Sequence, residues 1–235
     1  MSNIISELGV NWNGNISTAK KMITESKLAG ADYIKLQLFD KSVIKNNIHQ
    51  HALSTMILGE NDLHELKSHA DNVNIGFIVS CMYPGAFKLA EKVKPDFIKI
   101  RHTDRKYLAL AKLAIDYCNR MNTKVLVSTD LFGDVSEVYT AHSQLCHFMY
   151  CIAKYPPTIA DATLLMKYHS FLKAESWSGF SSHFRNVLIP ALAVSLEIEF
   201  LEVHVSNFIS DIDRNVSLTF GQLKTLCDFN KGIIS

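Results

Sequence analysis

The chain has 235 residues, a formal net charge of +1, 48% hydrophobic residues and 20% charged residues. This length fits a single domain over residues 1–235, and the near-neutral charge excludes nucleic acid or an anionic membrane as the expected main partner. Five cysteines without a CxxC pair favour a reducing cytoplasm, and the N-terminus lacks a signal-peptide pattern. The apolar segment 187–196 is too short to cross a bilayer and predicts a buried helix.

Strand-like and helix-like runs alternate along the whole chain, eight of each. The first helix has Asn15 or Ser17 as its candidate N-cap and ends at Gly30. Eight repeated units predict an α/β fold, a single closed (β/α)8 TIM barrel, rather than an open doubly wound sheet. The strands are predicted near residues 4–10, 33–39, 75–81, 97–100, 123–129, 146–153, 176–182 and 200–206.

Charged and polar residues interrupt several of these strands at alternate positions. Parallel strands that are covered by helices are normally almost continuously apolar. We therefore predict that the apolar positions pack against the helices and that the polar positions converge on one ligand cavity. The alternative is a small set of buried ion pairs that holds a barrel together without a ligand. The interrupting residues are Glu7, Lys35, Gln37, Lys99, Glu202 and His204.

Residues 40–60 break the alternation after the second strand. They follow the carboxyl end of that strand, where barrel active sites are built. The segment is therefore predicted to form an active-site loop, which contains His49 and His51. These two residues are interpreted as surface histidines without a role, and a loop that covers the substrate is the alternative.

Seven further segments share their order and spacing with one family. They read ELGVNWNG, AGADYIKLQLF, PDFIKI, VLVST, YCIAKYPPT, GFSSH, and FLEVHVS followed by DRNVSL. In these segments the chain resembles the sialic acid synthase family, which condenses phosphoenolpyruvate into N-acetylneuraminate and related nonulosonic acids. The resemblance covers the catalytic barrel and does not extend to the family's C-terminal antifreeze-like domain.

The resemblance implies a metal-dependent enzyme that joins phosphoenolpyruvate to an N-acylated amino sugar similar to N-acetylmannosamine and releases phosphate. Mn2+ or Mg2+ would polarise the sugar aldehyde, and a homodimer is compatible with the fold. By the same resemblance Glu7 and Glu202 are catalytic, and His183 and His204 bind the metal. The residues that the resemblance assigns to substrate binding are Lys35, Gln37, Lys99, Ser128, Tyr155, Ser181 and Asp213.

Seven positions depart from the family pattern, among them Cys81 in place of a threonine, Ser182 in place of an aspartate and Trp12 in place of a histidine. Arg101 and His102 replace small or hydroxyl residues near the expected phosphate, Asp130 replaces a glycine, and Ala153 replaces a polar residue. These departures support a second hypothesis, a non-catalytic or regulatory ligand-binding barrel that has lost the sugar site. A third hypothesis is an aldolase in which one of the strand lysines forms a Schiff base with the substrate.

Overall fold

A closed barrel of eight parallel strands forms the centre of the computed structural model, which describes residues 1–131, 133–162 and 177–232. Each strand pairs with the next in chain order, and β8 pairs with β1 to close the barrel. The predicted (β/α)8 barrel is confirmed. The strands are β1 (Asn3–Gly9), β2 (Tyr33–Leu38), β3 (Gly76–Cys81), β4 (Phe97–Ile100), β5 (Lys124–Thr129), β6 (Cys146–Cys151), β7 (Gly179–Ser182) and β8 (Phe200–Val205), with a short β9 (Ser217–Leu218) beside β8.

Helices surround the barrel. None of the described helices is both long enough and apolar enough to cross a membrane. The helix predicted between β6 and β7 lies outside the described residues, as does residue 176 of the predicted seventh strand. The described helices are α1 (Ile16–Ala29), α2 (Lys41–Ile44), α3 (Gln50–Ser54), α4 (Glu60–Asn72), α5 (Ala86–Val93), α6 (Leu108–Met121), α7 (Glu137–Ala141), α8 (Leu188–Ser195) and α9 (Phe220–Asn230).

The ends of α1 follow the sequence signals. The Asn15 side chain accepts a hydrogen bond from the Thr18 backbone N–H at 2.9 Å, which satisfies one of the free donors of the first turn. Gly30 ends the helix with φ at 100°, a left-handed conformation that glycine adopts without steric cost. Both termini are confirmed, and Asn15 rather than Ser17 is the cap.

Alternation along the strands divides the barrel into two apolar layers. One set of strand residues, including Ile4, Ile34, Val79 and Leu201, belongs to the large core that the helices share. The opposite face contributes a separate inner cluster of Ile5, Ile78, Leu126, Met149 and Phe200. This inner cluster fills the barrel below the polar positions, so it forms the floor of the predicted cavity.

An aromatic group closes the amino-terminal end of the barrel beneath that floor. The rings of His147 and Phe200 have centroids 4.9 Å apart, and Phe97 lies 5.5 Å from Phe200. Burial lowers the pKa of His147 from its ordinary value of 6.5, although Glu199, with a carboxylate oxygen 3.3 Å from Nδ1, opposes the shift. A neutral histidine is therefore part of the packed base.

This burial predicts a pH-dependent contribution to stability. Below about pH 6.5 the unfolded chain binds a proton at His147 that the folded barrel resists, so the free energy of unfolding falls as the pH falls. We expect His147→Gln to weaken this dependence, because glutamine does not titrate. Urea unfolding at about pH 7.5 and about pH 5.5 measures it. The control variant His64→Gln changes an exposed histidine and should keep the wild-type dependence of the unfolding free energy on pH. An equal pH dependence in the two variants would contradict the prediction.

Candidate functional site

One cavity of about 760 Å³ opens at the carboxyl ends of the strands. All the residues to which the resemblance assigned roles line it, so the prediction that the polar strand positions converge is confirmed. They reach it from different strands because side chains alternate between the core and the barrel interior. The lining includes Glu7, Lys35, Gln37, Lys99, Ser128, Tyr155, Ser181, His183, Glu202, His204 and Asp213.

Glu202 is the centre of an ionic network at the bottom of this cavity. Its carboxylate lies 3.0 Å from Nζ of Lys35 and 2.8 Å from Nζ of Lys99. Ser181 donates its hydroxyl at 2.8 Å to Oε1, the same oxygen that contacts Lys35. Two buried ammonium groups would otherwise repel each other, so the protein's own carboxylate supplies part of the countercharge that a ligand was expected to provide.

The network fixes the charges of its members. Burial opposes ionisation of Glu202, but the two lysines outweigh it and hold the pKa of the carboxyl well below its usual range. Burial also opposes the charge of Lys35, yet Glu202 and Glu7 raise its pKa, whereas for Lys99 burial prevails and the pKa is lowered. Glu202 is thus a firmly ionised group and a weak base.

Glu7 has the opposite character. Burial raises its pKa, although Lys35 opposes the shift, and the side chain is fully buried. Gln37 donates to Oε1 at 2.7 Å, whereas Oε2 lies 3.3 Å from Nζ of Lys35 and has no hydrogen-bond partner among the described residues. A carboxyl with a raised pKa and an unpaired oxygen can take up or release a proton.

The two predicted metal ligands lie side by side. His183 directly follows β7, and His204 lies on β8. The ring centroids of His183 and His204 are 5.4 Å apart. Nδ1 of His183 lies 3.1 Å from the Ile152 carbonyl oxygen, and Nε2 lies 2.8 Å from the Tyr155 hydroxyl. Burial, together with the neighbouring His204, lowers the pKa of His183 to about 3. The ring is therefore neutral at neutral pH.

His204 is held from the side of Asp213. Its Nδ1 lies 3.5 Å from Oδ2 of Asp213, beyond hydrogen-bond range, and is buried without a hydrogen-bond partner within the described part of the chain. Burial disfavours its charge, but Asp213 and Glu7 outweigh burial and raise its pKa. The imidazole is thus flanked by carboxylates at the edge of the cavity.

Gly9 makes room for this pair, and the sequence analysis missed it. Its φ is 53°, and the β1–β2 register shifts between Glu7 and Gly9. A Cβ at this position would lie 2.9 Å from Oδ2 of Asp213 and 3.5 Å from Nδ1 of His204. The available signal was a glycine within a strand whose apolar pattern is interrupted by a charged residue, because bulges and close approaches favour glycine.

The donor set fits a metal ion with few protein ligands. No group of three or more His, Cys, Asp and Glu residues able to hold a metal is found within residues 1–131, 133–162 and 177–232. His183 and His204 each direct Nδ1 toward an oxygen atom, which is how metal-binding histidines are commonly oriented. An ion here would take the two imidazoles and fill its other positions with water or ligand oxygens.

A rim of basic residues, Arg101, His102 and Arg105, lines the cavity mouth after β4. His102 Nε2 lies 2.9 Å from Asp130, and Arg105 Nη2 lies 2.5 Å from Asp134 and 3.6 Å from Asp130. Asp130 is not part of the described cavity lining. The carboxylate of Asp130 therefore lies against the basic residues of the rim and not inside the cavity. Ala153, which also departs from the family pattern, lines the cavity but brings no polar group to it.

The segment 40–60 does cover the cavity, through α2, α3 and the turn between them. Val43, Asn47 and His49 line the cavity wall, as predicted for an active-site loop. His51 lines a separate small depression with Lys41 and Gln50. The loop prediction is confirmed for His49, and His51 lies away from the site.

Two inner-face residues of the cavity also escaped the sequence analysis. Ser80 and Cys151 line it from β3 and β6, two residues beyond the floor residues Ile78 and Met149. Burial raises the pKa of the Cys151 thiol to about 12, so the group is neutral. The alternation that identified Lys99 also applied to these two positions.

A sequence model described as the NeuB family matches residues 22–233. The chain belongs to the NeuB family. It is 27% identical over 254 residues to the N,N'-diacetyllegionaminic acid synthase of Campylobacter jejuni, covering 95% of this chain and 74% of that protein. It is 27% identical over 245 residues to the N-acetylneuraminate-9-phosphate synthase of Mus musculus, covering 95% and 67%. The resemblance to sialic acid synthases is confirmed at the level of the family.

The chain spans 63% of an uncharacterized protein of Methanocaldococcus jannaschii, to which it is 26% identical over 224 residues, 91% of this chain. Among solved structures, the N-acetylneuraminic acid synthetase of Leptospira borgpetersenii serovar Hardjo-bovis in complex with citrate is similar, with a TM-score of 0.85 and 23% identity. That match covers 99% of this chain and 83% of the other. It supports the barrel fold.

The central role of Glu202 predicts a large stability loss on its removal. Glu202→Ala leaves two buried ammonium groups without their shared partner and should lower the free energy of unfolding by about 3–5 kcal/mol. The exposed Glu65→Ala, which removes the surface partner of Lys20, should cost less than about 1 kcal/mol. Urea unfolding compares the two, and similar small losses for both would contradict the network.

Proposed function

We propose that the chain is a metal-dependent synthase that condenses phosphoenolpyruvate with an N-acylated amino sugar to give a nonulosonic acid and phosphate. One arrangement carries the proposal: two buried lysines joined by Glu202 share a single cavity with the paired histidines 183 and 204. A cavity with cations and imidazoles suits one anionic substrate and one substrate that meets a metal ion. The similarity to synthases of N,N'-diacetyllegionaminic acid and N-acetylneuraminate 9-phosphate supports the same substrate class.

The anionic substrate would lie against Lys35 and Lys99. Glu202 is one carboxylate shared between the two ammonium groups, and the second carboxyl beside Lys35, that of Glu7, has a raised pKa. Ser128 adds a buried hydroxyl that has no hydrogen-bond partner among the described residues. A hydroxyl and two ammonium groups are donors for the phosphate and carboxylate oxygens of phosphoenolpyruvate, and Arg101 and Arg105 add positive charge at the mouth.

His183 and His204 would hold Mn2+ or Mg2+, with imidazole nitrogen favouring Mn2+. When bound, the ion supplies Lewis-acid polarisation of the sugar aldehyde. Because Nδ1 of His183 faces the Ile152 carbonyl oxygen, the ion would take Nε2 in place of the contact that the Tyr155 hydroxyl makes there. Gln37, Tyr155 and Asp213 line the same end of the cavity and would contact the acceptor sugar.

The reaction forms one carbon–carbon bond and breaks one carbon–oxygen bond. C3 of phosphoenolpyruvate attacks the aldehyde carbon, water adds at C2, and the bond between C2 and the phosphate oxygen breaks to release phosphate. Glu7 would accept the proton from the attacking water or deliver one to the new hydroxyl, since burial keeps its pKa raised. Glu202, with its lowered pKa, would balance the lysine charges throughout.

The direct test is to incubate the protein with Mn2+, phosphoenolpyruvate and a panel of 2-acetamido sugars. Phosphate release and a product whose mass equals the sum of pyruvate and the sugar are the expected results. Glu7→Gln should bind phosphoenolpyruvate normally but fail to turn it over. Binding of phosphoenolpyruvate by the wild type, without phosphate release for any acceptor, would contradict catalysis and favour the regulatory barrel.

Lys99→Ala separately tests the end of the cavity that is proposed to bind the anionic substrate. Removing one partner of a buried, hydrogen-bonded charge pair costs about 2 kcal/mol or more, so phosphoenolpyruvate affinity should fall about 30-fold or more. Isothermal titration calorimetry measures the affinity. Lys67→Ala, which removes an exposed partner of Asp71 on α4, should leave it unchanged, and unchanged affinity in Lys99→Ala would contradict the assignment.

A further inference from the structure

Asn11 lies just beyond β1 and is fully buried. Its amide nitrogen donates to the Val205 carbonyl oxygen at 2.7 Å and to the Ser217 hydroxyl at 3.1 Å. Its amide oxygen accepts from the backbone N–H of Asp213 at 3.0 Å. One side chain therefore ties the end of β1 to the end of β8 and to the segment that follows β8.

Both backbone groups of Asp213 are held by this arrangement. Asn11 accepts from its N–H, and Ser217 donates its hydroxyl to its carbonyl oxygen at 2.6 Å. The side chain of Asp213 then projects to within 3.5 Å of Nδ1 of His204. Gly9 lies close to its carboxylate, because a Cβ at that position would be 2.9 Å from Oδ2 of Asp213.

Asn11 is not part of the described cavity lining, so it acts on the site only through other residues. Its two donors are both used, and each bond joins a different chain segment. A buried amide satisfied in this way specifies one arrangement of its neighbours, because the alternatives leave polar groups unpaired. The arrangement that it specifies is the contact between Asp213 and His204.

We propose that Asn11 is a positioning residue that fixes Asp213, and through it the imidazole of His204, at the metal-binding end of the cavity. The inference rests on the proposed function, since it needs His204 to be a metal ligand. Partners that orient a ligating histidine are commonly worth 10- to 100-fold in metal affinity. The opposite, lysine-lined end of the cavity does not depend on Asn11.

The nearby Asn13 provides a matched control. Its side chain donates to Asp211 at 2.8 Å, so it ties the same two segments together. Asp211, however, is outside the described cavity lining. Because φ at Asn13 is 53°, Asn13→Gly removes the amide without adding strain.

The test measures Mn2+ affinity by electron paramagnetic resonance without substrate, and phosphoenolpyruvate affinity by calorimetry. Asn11→Ala should weaken Mn2+ binding by about 10- to 100-fold and leave phosphoenolpyruvate affinity within about threefold. Asn13→Gly should change neither affinity. Ser217→Ala keeps the bond from Asn11 to the Asp213 backbone but removes the hydroxyl that Asn11 donates to and that holds the Asp213 carbonyl. It should weaken Mn2+ binding less, and it keeps the test available if Asn11→Ala does not fold.

A double-mutant cycle separates positioning from general destabilisation. If Asn11 acts through Asp213, then adding Asn11→Ala to Asp213→Ala should cause no further loss of Mn2+ affinity. Wild-type Mn2+ affinity in both Asn11→Ala and Ser217→Ala, or fully additive losses, would overturn the positioning role alone. A wild-type protein that binds no Mn2+ would overturn the metal site of the proposed function, and this role with it.

Discussion

The bond between Glu202 and its two lysines is the constraint on which the site depends. A barrel interior is a poor solvent for charge, and Lys35 and Lys99 are almost completely buried within it. Their shared carboxylate makes both cations tolerable inside the barrel. The apolar floor below, formed by residues such as Leu126 and Met149, keeps the network at the carboxyl ends of the strands.

The two buried glutamates differ in protonation because their neighbours differ. Glu202 has two lysines and a serine hydroxyl, whereas Glu7 has only one lysine, at a longer distance, and an amide donor. The result is one carboxylate that stays charged and one that holds a proton more readily. Separation of this kind lets two chemically identical groups serve as electrostatic support and as proton carrier.

Much of the site could be predicted from the order of residues in the strands. Because side chains alternate strictly, the interruptions at Lys35, Lys99 and His204 could only face the interior of a closed barrel. The same rule applied to Ser80 and Cys151, but these residues are small or apolar enough to pass as core.

Other features depended on contacts that no local pattern contains. The alternating polar residues indicated a ligand cavity, and the fold adds the contact between Lys99 and Glu202, which lie 103 residues apart in the chain. Asp130 was recognised only as a replacement of a glycine, and its direction is set by His102 on the neighbouring loop. The bulge at Gly9 follows from packing against Asp213, which only the closed barrel brings near.

The central claim is that one cavity binds an anion at its lysines and a metal ion at its histidines. Crystals soaked with Mn2+ and phosphoenolpyruvate, measured at the manganese absorption edge, test it most directly. The account predicts an anomalous peak within bonding distance of His183 and His204, and phosphate density beside Lys99 and Ser128. A manganese peak away from both histidines, or phosphoenolpyruvate bound outside the cavity, would contradict it.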